Sequence, residues 1–193
     1  AGFKGPWRPR SLSQKFLVAT AQKTDTPDAP IHAVLLDREK NEWRHLYEIG
    51  FATVESVLTD SRDGEGVASR IHYVDDQPRI VFFESDDNLA GVLKYFTEEF
   101  PGDHISITGA TKDSSKVVVA VSSSNKLGDY YLYDRESNSV RYLIGMTTKL
   151  SDISLSQSQY FAYTNSDGIK IPGWFQPAKK GEKSPLVVVI HGG

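Results

Sequence analysis

The residues best suited to chemistry lie at the end of the sequence, where His191, Gly192 and Gly193 directly follow the apolar run 186–190. This run reads Leu-Val-Val-Val-Ile, and its β-branched residues predict a strand buried on both faces, as in a parallel sheet. A glycine-rich turn after such a strand lets the main chain approach a reacting carbonyl, so that a backbone N–H can stabilise a developing oxyanion. The pattern therefore indicates acyl-transfer chemistry.

The groups that would complete such a site are missing from the sequence. Acyl transfer needs a nucleophile, and the Gly-x-Ser-x-Gly pattern that presents a serine at a sharp turn occurs nowhere in the 193 residues. The segment 123–126, Ser-Ser-Asn-Lys, has Ser-x-x-Lys spacing, but a polar quartet between two strands is typical of a hairpin turn. We therefore expect this chain to be inactive alone.

Other patterns that could bind a ligand are weak. The five histidines have neither a second histidine four residues away nor a cysteine partner, so no metal site is predicted. Paired carboxylates at 75–76, 86–87 and 98–99 are expected in solvated turns, and no phosphate-binding loop is present. We predict no cofactor. Three tryptophans are interpreted as core or interface anchors: Trp7, Trp43 and Trp174.

Composition excludes several classes of partner. The net charge is −3 and neither sign dominates, so neither a nucleic-acid surface nor a polybasic membrane patch is predicted. The longest apolar run is far too short to span a bilayer. The absence of cysteine excludes disulfides but leaves a cytoplasmic and a bacterial periplasmic location equally open.

Short apolar and aromatic runs separated by turn residues predict a mainly β chain. The clearest strands are expected at 16–19, 33–36, 79–83, 116–121 and 129–133. The stretch 87–100 has Leu89, Val92, Leu93 and Phe96 at roughly helical spacing, yet residues 92–96 also suit a strand. We predict a strand there in preference to a helix.

The strands recur with a period of about 48 residues. Ser-Leu-Ser-Gln at 11–14 returns at 154–157, and both copies precede a strand. Predicted strands end at Asp37, Asp86 and Asp134. Six and nine residues after each aspartate an apolar or aromatic side chain follows: Trp43 and Leu46, Val92 and Tyr95, Val140 and Leu143.

This period, with about four short strands in each unit, is typical of β-propeller blades made of four-stranded antiparallel sheets. The aspartates are expected to begin turns between strands of one blade by accepting hydrogen bonds from nearby backbone. The alternative is an all-β sandwich with coincidentally even spacing. The second unit is the weakest, because 60–66 is a loop where a marker is expected.

The last 35 or so residues change character. A strand at Tyr160–Tyr163 is followed by the turn Asp167-Gly168, a strand within Ile169–Phe175, a polar loop with Pro177, and Pro185–Gly193. The order of these pieces resembles the junction in the prolyl oligopeptidase family of serine peptidases, especially its acylaminoacyl-peptidase-like and dipeptidyl-peptidase-like branches. In that family a propeller runs directly into an α/β-hydrolase domain.

The resemblance implies a partial propeller over 1–163, about three blades and the first strand of a fourth, and the opening strands of an α/β-hydrolase domain over 164–193. It implies a parent enzyme that hydrolyses short peptides with a Ser-His-Asp triad, with the propeller gating access. Gly193 would supply a backbone N–H to the oxyanion hole, while Gly192 and His191 would shape the turn. His191 would not be the triad base, and the triad would follow Gly193 in a longer protein.

Two other functions stay open. A non-catalytic propeller used for binding predicts that the native gene stops near Gly193, and a modifier-like protein would use the terminal Gly-Gly as its reactive end. An unclosed array of blades would leave edge strands unpaired, which predicts edge-strand or homo-oligomeric association.

Overall fold

The computed structural model describes residues 3–26, 29–60, 67–83, 89–146, 155–178 and 183–190, with backbone alone at 60 and 67. Within these residues the protein is mainly β, with four antiparallel sheets, none of them closed. The described residues contain one helix, α1 (Ala90–Glu99). In the described part of the chain, no helix is both long and apolar enough to cross a membrane.

The strands follow one another within each sheet in chain order. The first sheet comprises β1 (Trp7–Leu12), β2 (Phe16–Gln22), β3 (Ile31–Asp37) and β4 (Glu42–Gly50). The second sheet comprises β5 (Thr53–Asp60), β6 (Val67–Val74) and β7 (Pro78–Phe82). The third sheet comprises β8 (His104–Ala110), β9 (Lys116–Ser123), β10 (Lys126–Asp134) and β11 (Ser139–Gly145). A hairpin of β12 (Gln159–Thr164) and β13 (Lys170–Phe175) follows.

The predicted four-stranded antiparallel unit is present twice, in the first and third sheets. The five strands predicted from their apolar runs lie within β2, β3, β7, β9 and β10, apart from Phe83, which follows β7. Three successive units of four elements end with β4, α1 and β11. These last elements begin at residues 42, 90 and 139, so they are spaced by 48 and then 49 residues. This spacing agrees with the period of the sequence.

Two of the three marker aspartates build the same turn. Asp37 Oδ1 accepts hydrogen bonds from the backbone N–H groups of Glu39 and Lys40, both at 3.1 Å. Asp134 Oδ1 accepts from Glu136 at 3.1 Å and Ser137 at 3.4 Å. Each turn ends on an asparagine with positive φ, Asn41 at 54° and Asn138 at 48°. The third marker, Asp86, lies outside the described residues.

The prediction of a strand at 92–96 is wrong, because α1 occupies these residues in the second unit. Val92, Leu93 and Phe96 lie on one helical face and are almost completely buried. They pack with Val117, Val119 and Val121 of β9. The apolar side chains of β9 therefore form a surface on which the apolar face of α1 is buried. Tertiary packing decided between two local patterns of similar strength.

The second sheet lies in the middle of the core. On one side Val57, Ala68 and Ile71 pack with Val18 and Leu35 of the first sheet. On the other side Ile80 and Phe82 pack against the cluster formed by α1 and the third sheet. The first strands of the first two sheets also meet, with Ser11 Oγ 3.2 Å from Thr59 Oγ1.

Candidate functional site

The predicted oxyanion residues, His191, Gly192 and Gly193, lie outside the described residues. The run before them is described, and the prediction that it forms a buried strand is wrong for this chain. Leu186–Ile190 belongs to no strand, and its side chains are 71% to 87% exposed. A parallel strand of this type is stable only between neighbouring strands, and none of the described strands pairs with it.

The hairpin that leads to this run is well defined. Its predicted turn is present, since Asn165 Oδ1 accepts hydrogen bonds from the backbone N–H of Asp167 at 3.0 Å and of Ile169 at 2.9 Å. Gly168 has φ +80°, a conformation that favours glycine. The register pairs Tyr160 with Trp174, whose rings meet edge to face at 5.7 Å. The resemblance places the boundary between the propeller and the hydrolase domain at residue 164. The two paired strands of this hairpin lie on either side of that boundary, because β12 ends at Thr164 and β13 begins at Lys170.

The hairpin lies against one end of the sheets. Together with the β2–β3, β4–β5 and β6–β7 turns it borders a partly open cavity of about 200 Å³. Backbone N–H of Ser158 donates to Ser124 Oγ in the β9–β10 turn at 2.9 Å. The cavity combines aromatic and polar walls: Gln22, Ala29, Ile31, Phe51, Ala52, Thr53, Val74, Asp75, Tyr160, Pro172 and Trp174.

The carboxylates of Asp75 and Asp76, beside this cavity, are paired with the guanidinium of Arg79. Arg79 Nε donates to both oxygens of Asp75 at 2.7 Å, and Arg79 Nη2 donates to Asp76 Oδ1 at 2.7 Å. These bonds raise the pKa of Arg79 above its ordinary value. Asp75 and Asp76 lie in the β6–β7 turn, where the sequence predicted them, and act as the partners of a guanidinium.

A second cavity, of about 350 Å³, lies between the second sheet and the pair formed by α1 and the third sheet. Glu55 Oε2 and His104 Nε2 are 2.8 Å apart across this boundary and are each about one-third exposed. His72, only 9% exposed, lines the same cavity. Burial, aided by the positive charge of Arg70, lowers the pKa of His72 to about 4, so its imidazole is neutral near pH 7.

The sequence did not predict the group formed by Glu55, His72 and His104, because these residues are far apart in the chain. Glu55 and His104 are 49 residues apart, and no short motif contains both. The only signal was the period of 48, since residues one period apart occupy equivalent strands. On the outer face of the first sheet His32 Nδ1 lies 3.1 Å from His45 Nε2, a second pair that spacing did not indicate.

The remaining candidates have structural places. Residues 123–126 form the β9–β10 turn, as predicted, and Ser123 Oγ donates to Asn125 Oδ1 at 2.6 Å. Trp7 and Trp43 meet edge to face at 6.4 Å. Among the described residues no group of three or more histidine, cysteine, aspartate or glutamate side chains could hold a metal ion.

No protein-family model matches the chain, and no curated protein matches it either.

Proposed function

We propose that this chain is the propeller end and the first hydrolase strands of a serine peptidase that resembles the prolyl oligopeptidase family and cleaves short peptides. The chain would supply the gate and one oxyanion donor, the Gly193 backbone N–H, with Gly192 and His191 shaping that turn. The catalytic serine, aspartate and histidine would come from residues outside these 193.

The observation that carries the proposal is the repeated unit followed by the hairpin. Equivalent turns at Asp37 and Asp134 end the third strands of two four-stranded sheets. After the third unit the chain leaves this repeat, and β12–β13 lies across one end of the sheets. The apolar run Leu186–Ile190 is exposed and pairs with none of the described sheets. In the proposal it is a strand of a separate sheet, because a strand of this type is buried between neighbours.

The placement of the hairpin supports a gate. The cavity under it lies at the turns that join strands within and between sheets, where binding residues on a rigid β scaffold are commonly presented. A hydrolase domain attached after β13 would be tethered at this end of the sheets. Substrate would therefore meet the end of the sheet array before it reached the triad.

The direct test is the reading frame beyond residue 193. The proposal expects Gly-x-Ser-x-Gly within the next hundred or so codons, followed by the triad aspartate and histidine. The full-length product should be labelled by a fluorophosphonate probe and should cleave a short peptide with a chromogenic leaving group. The 193-residue chain is the matched control and should not be labelled. A stop codon directly after Gly193 contradicts the proposal.

The cavity under the hairpin also favours a second candidate, a non-catalytic propeller that binds a partner through this end. Tyr160 and Trp174 give it an aromatic wall, and aromatic side chains commonly anchor bound peptides. For this candidate the chain alone should bind peptides, and Trp174→Ala should weaken that binding, in the absence of any labelling by the serine probe.

A further inference from the structure

The boundary between the second sheet and the α1–third sheet unit, here called the seam, contains an unusual histidine. His72 is 91% buried, and its Nε2 atom has less than 1 Å² of accessible surface and no hydrogen-bond partner. Buried polar atoms in folded proteins are almost always satisfied by protein or water. The Nε2 atom is therefore out of contact with solvent in the closed seam, although the residue lines the cavity of about 350 Å³.

Protonation of this histidine conflicts with the closed seam. A neutral imidazole has one N–H, whereas the imidazolium ion has an N–H on both nitrogens. In the closed seam the Nε2–H of the cation would be out of contact with solvent and would face no acceptor among the described residues. An uncompensated buried charge is more costly than an unsatisfied neutral group, so the charged form needs a seam that water can enter.

The groups that face this site from each neighbouring element leave it rich in positive charge. β5 contributes Glu55, β6 contributes Arg70 beside His72, β7 contributes Arg79, and the chain at the start of β8 contributes Asp103 and His104. The residues of α1 that line it, Leu93 and Thr97, carry no charge. Several of these charges are already engaged. Glu55 bonds to His104, Asp103 accepts from Lys126 at 3.2 Å, and Arg79 is bound to Asp75 and Asp76. Among the described residues, the carboxylates that line this site, Glu55 and Asp103, are thus already bonded to another side chain when His72 takes up a proton.

We propose that the seam is an acid-sensitive latch: protonation of His72 opens the contact between the second sheet and the α1–third sheet unit, while the first and second sheets stay together. The first and second sheets are bridged by the hydroxyls of Ser11 and Thr59, which carry no charge in the same range. The latch does not depend on the proposed peptidase function, because every group in it lies within the described sheets.

The size of the effect follows from linkage. The pKa of His72 is lowered from 6.5 to about 4, with burial as the largest cause and Arg70 and His104 as further causes. A shift of this size means that protonation favours the open seam over the closed one by roughly 300-fold. The effect develops as the pH falls from about 6.5 and is complete below about 4.

Amide hydrogen exchange, corrected for the intrinsic pH dependence of exchange, tests the latch on the 193-residue chain. Between pH 6.5 and 4 we expect protection in α1, at Leu93 and Phe96, to fall by about tenfold or more. Protection in the first sheet, at Val18 and Ala33, should change far less. His72→Phe keeps a ring of similar size that cannot be protonated, and it should remove the pH dependence of α1. His45→Gln, on the outer face of the first sheet, should leave it unchanged.

Three outcomes overturn the latch. One is an equal loss of protection in the first sheet and in α1, which indicates global unfolding. Another is unchanged pH dependence in the His72→Phe variant. If that variant does not fold, NMR titration of His72 in the native chain decides. A pKa near 6.5 would mean that the closed seam accommodates the proton, whereas a value below about 5 supports the latch.

Discussion

Single residues reproduce the repeat most clearly at the turns. Asp37 and Asp134 end equivalent strands, and in each case one carboxylate oxygen accepts hydrogen bonds from two backbone N–H groups of the following turn. The backbone N–H of the next residue also pairs in the same way, Arg38 with Lys15 O at 2.9 Å and Arg135 with Ser115 O at 2.8 Å. One side chain therefore specifies where a strand ends and how its neighbour begins.

Substitution of Asp37 tests this role. Asp37→Ala removes both hydrogen bonds to the turn and should lower the free energy of unfolding by about 1 kcal/mol. Asp37→Asn keeps an acceptor oxygen in the same place and should cost clearly less. Urea unfolding followed by tryptophan fluorescence measures both values. Equal destabilisation by the two variants would show that charge, rather than turn geometry, matters at this position.

His72 makes a separate prediction about stability and pH. Its pKa is lower in the folded chain, about 4, than the ordinary value of 6.5, so below 6.5 the unfolded state binds more protons. The free energy of unfolding should therefore fall as the pH drops from about 6.5 to about 4, by up to about 3 kcal/mol, and this part of the change should end below 4. The slope should be smaller in His72→Phe. A His72→Phe chain that loses stability as steeply as the native chain would assign the acid sensitivity to other groups.

At the scale of elements, α1 is the main departure from a regular repeat. The fourth strands of the other two units, β4 and β11, begin at residues 42 and 139. The helix begins at residue 90, about one period after the first and one period before the second, where a fourth strand is expected. A fourth strand would pair with the edge of β7, whereas the helix buries three apolar side chains against the third sheet. The helix therefore joins the second and third units more through packing than through backbone hydrogen bonds.

Phe96 is the centre of that packing. It is fully buried and contacts Phe100 with ring centroids 6.0 Å apart and Tyr131 at 5.9 Å. Phe96→Ala should lower the free energy of unfolding by about 3–5 kcal/mol, because the cavity left behind cannot close completely. Tyr95→Ala, on the neighbouring and 38% exposed position, should cost about 1 kcal/mol. Denaturant unfolding compares the two, and similar losses would argue against this placement of α1.

The described residues form three stacked sheets and the β12–β13 hairpin, with unpaired edge strands and an exposed apolar run. β4 and β11 are outer edge strands, and β11 carries exposed Tyr142 and Ile144. The run Leu186–Ile190 is more exposed than any other group of neighbouring apolar side chains described. Exposed edges and strand-forming runs pair readily with other chains.

We therefore expect the 193-residue chain to self-associate through this run. Val188→Lys places a charge in the middle of it and should shift the population towards monomer by about tenfold or more in the association constant. Leu127→Lys adds the same charge at an exposed apolar position outside the run and should have little effect. Sedimentation velocity across a concentration series measures both. A native chain that stays monomeric at high concentration contradicts this expectation.

The sequence alone determined the features that depend on near neighbours. The positions of β2, β3, β7, β9, β10, β12 and β13, the aspartate turns and the Asn165 turn follow from side chains acting on backbone within a few residues, so short stretches were sufficient to predict them. The spacing of the units was also readable, because equivalent turns recur along the chain.

Only the tertiary structure decided the features that depend on distant partners. The segment 90–99 is a helix because β9 offers a surface for its apolar face, and His72 is buried where the second sheet meets α1 and the third sheet. Glu55 meets His104 only after two units have stacked. The strand-like run Leu186–Ile190 stays exposed for the same physical reason: burial requires a neighbour, and a residue's own sequence context does not supply one.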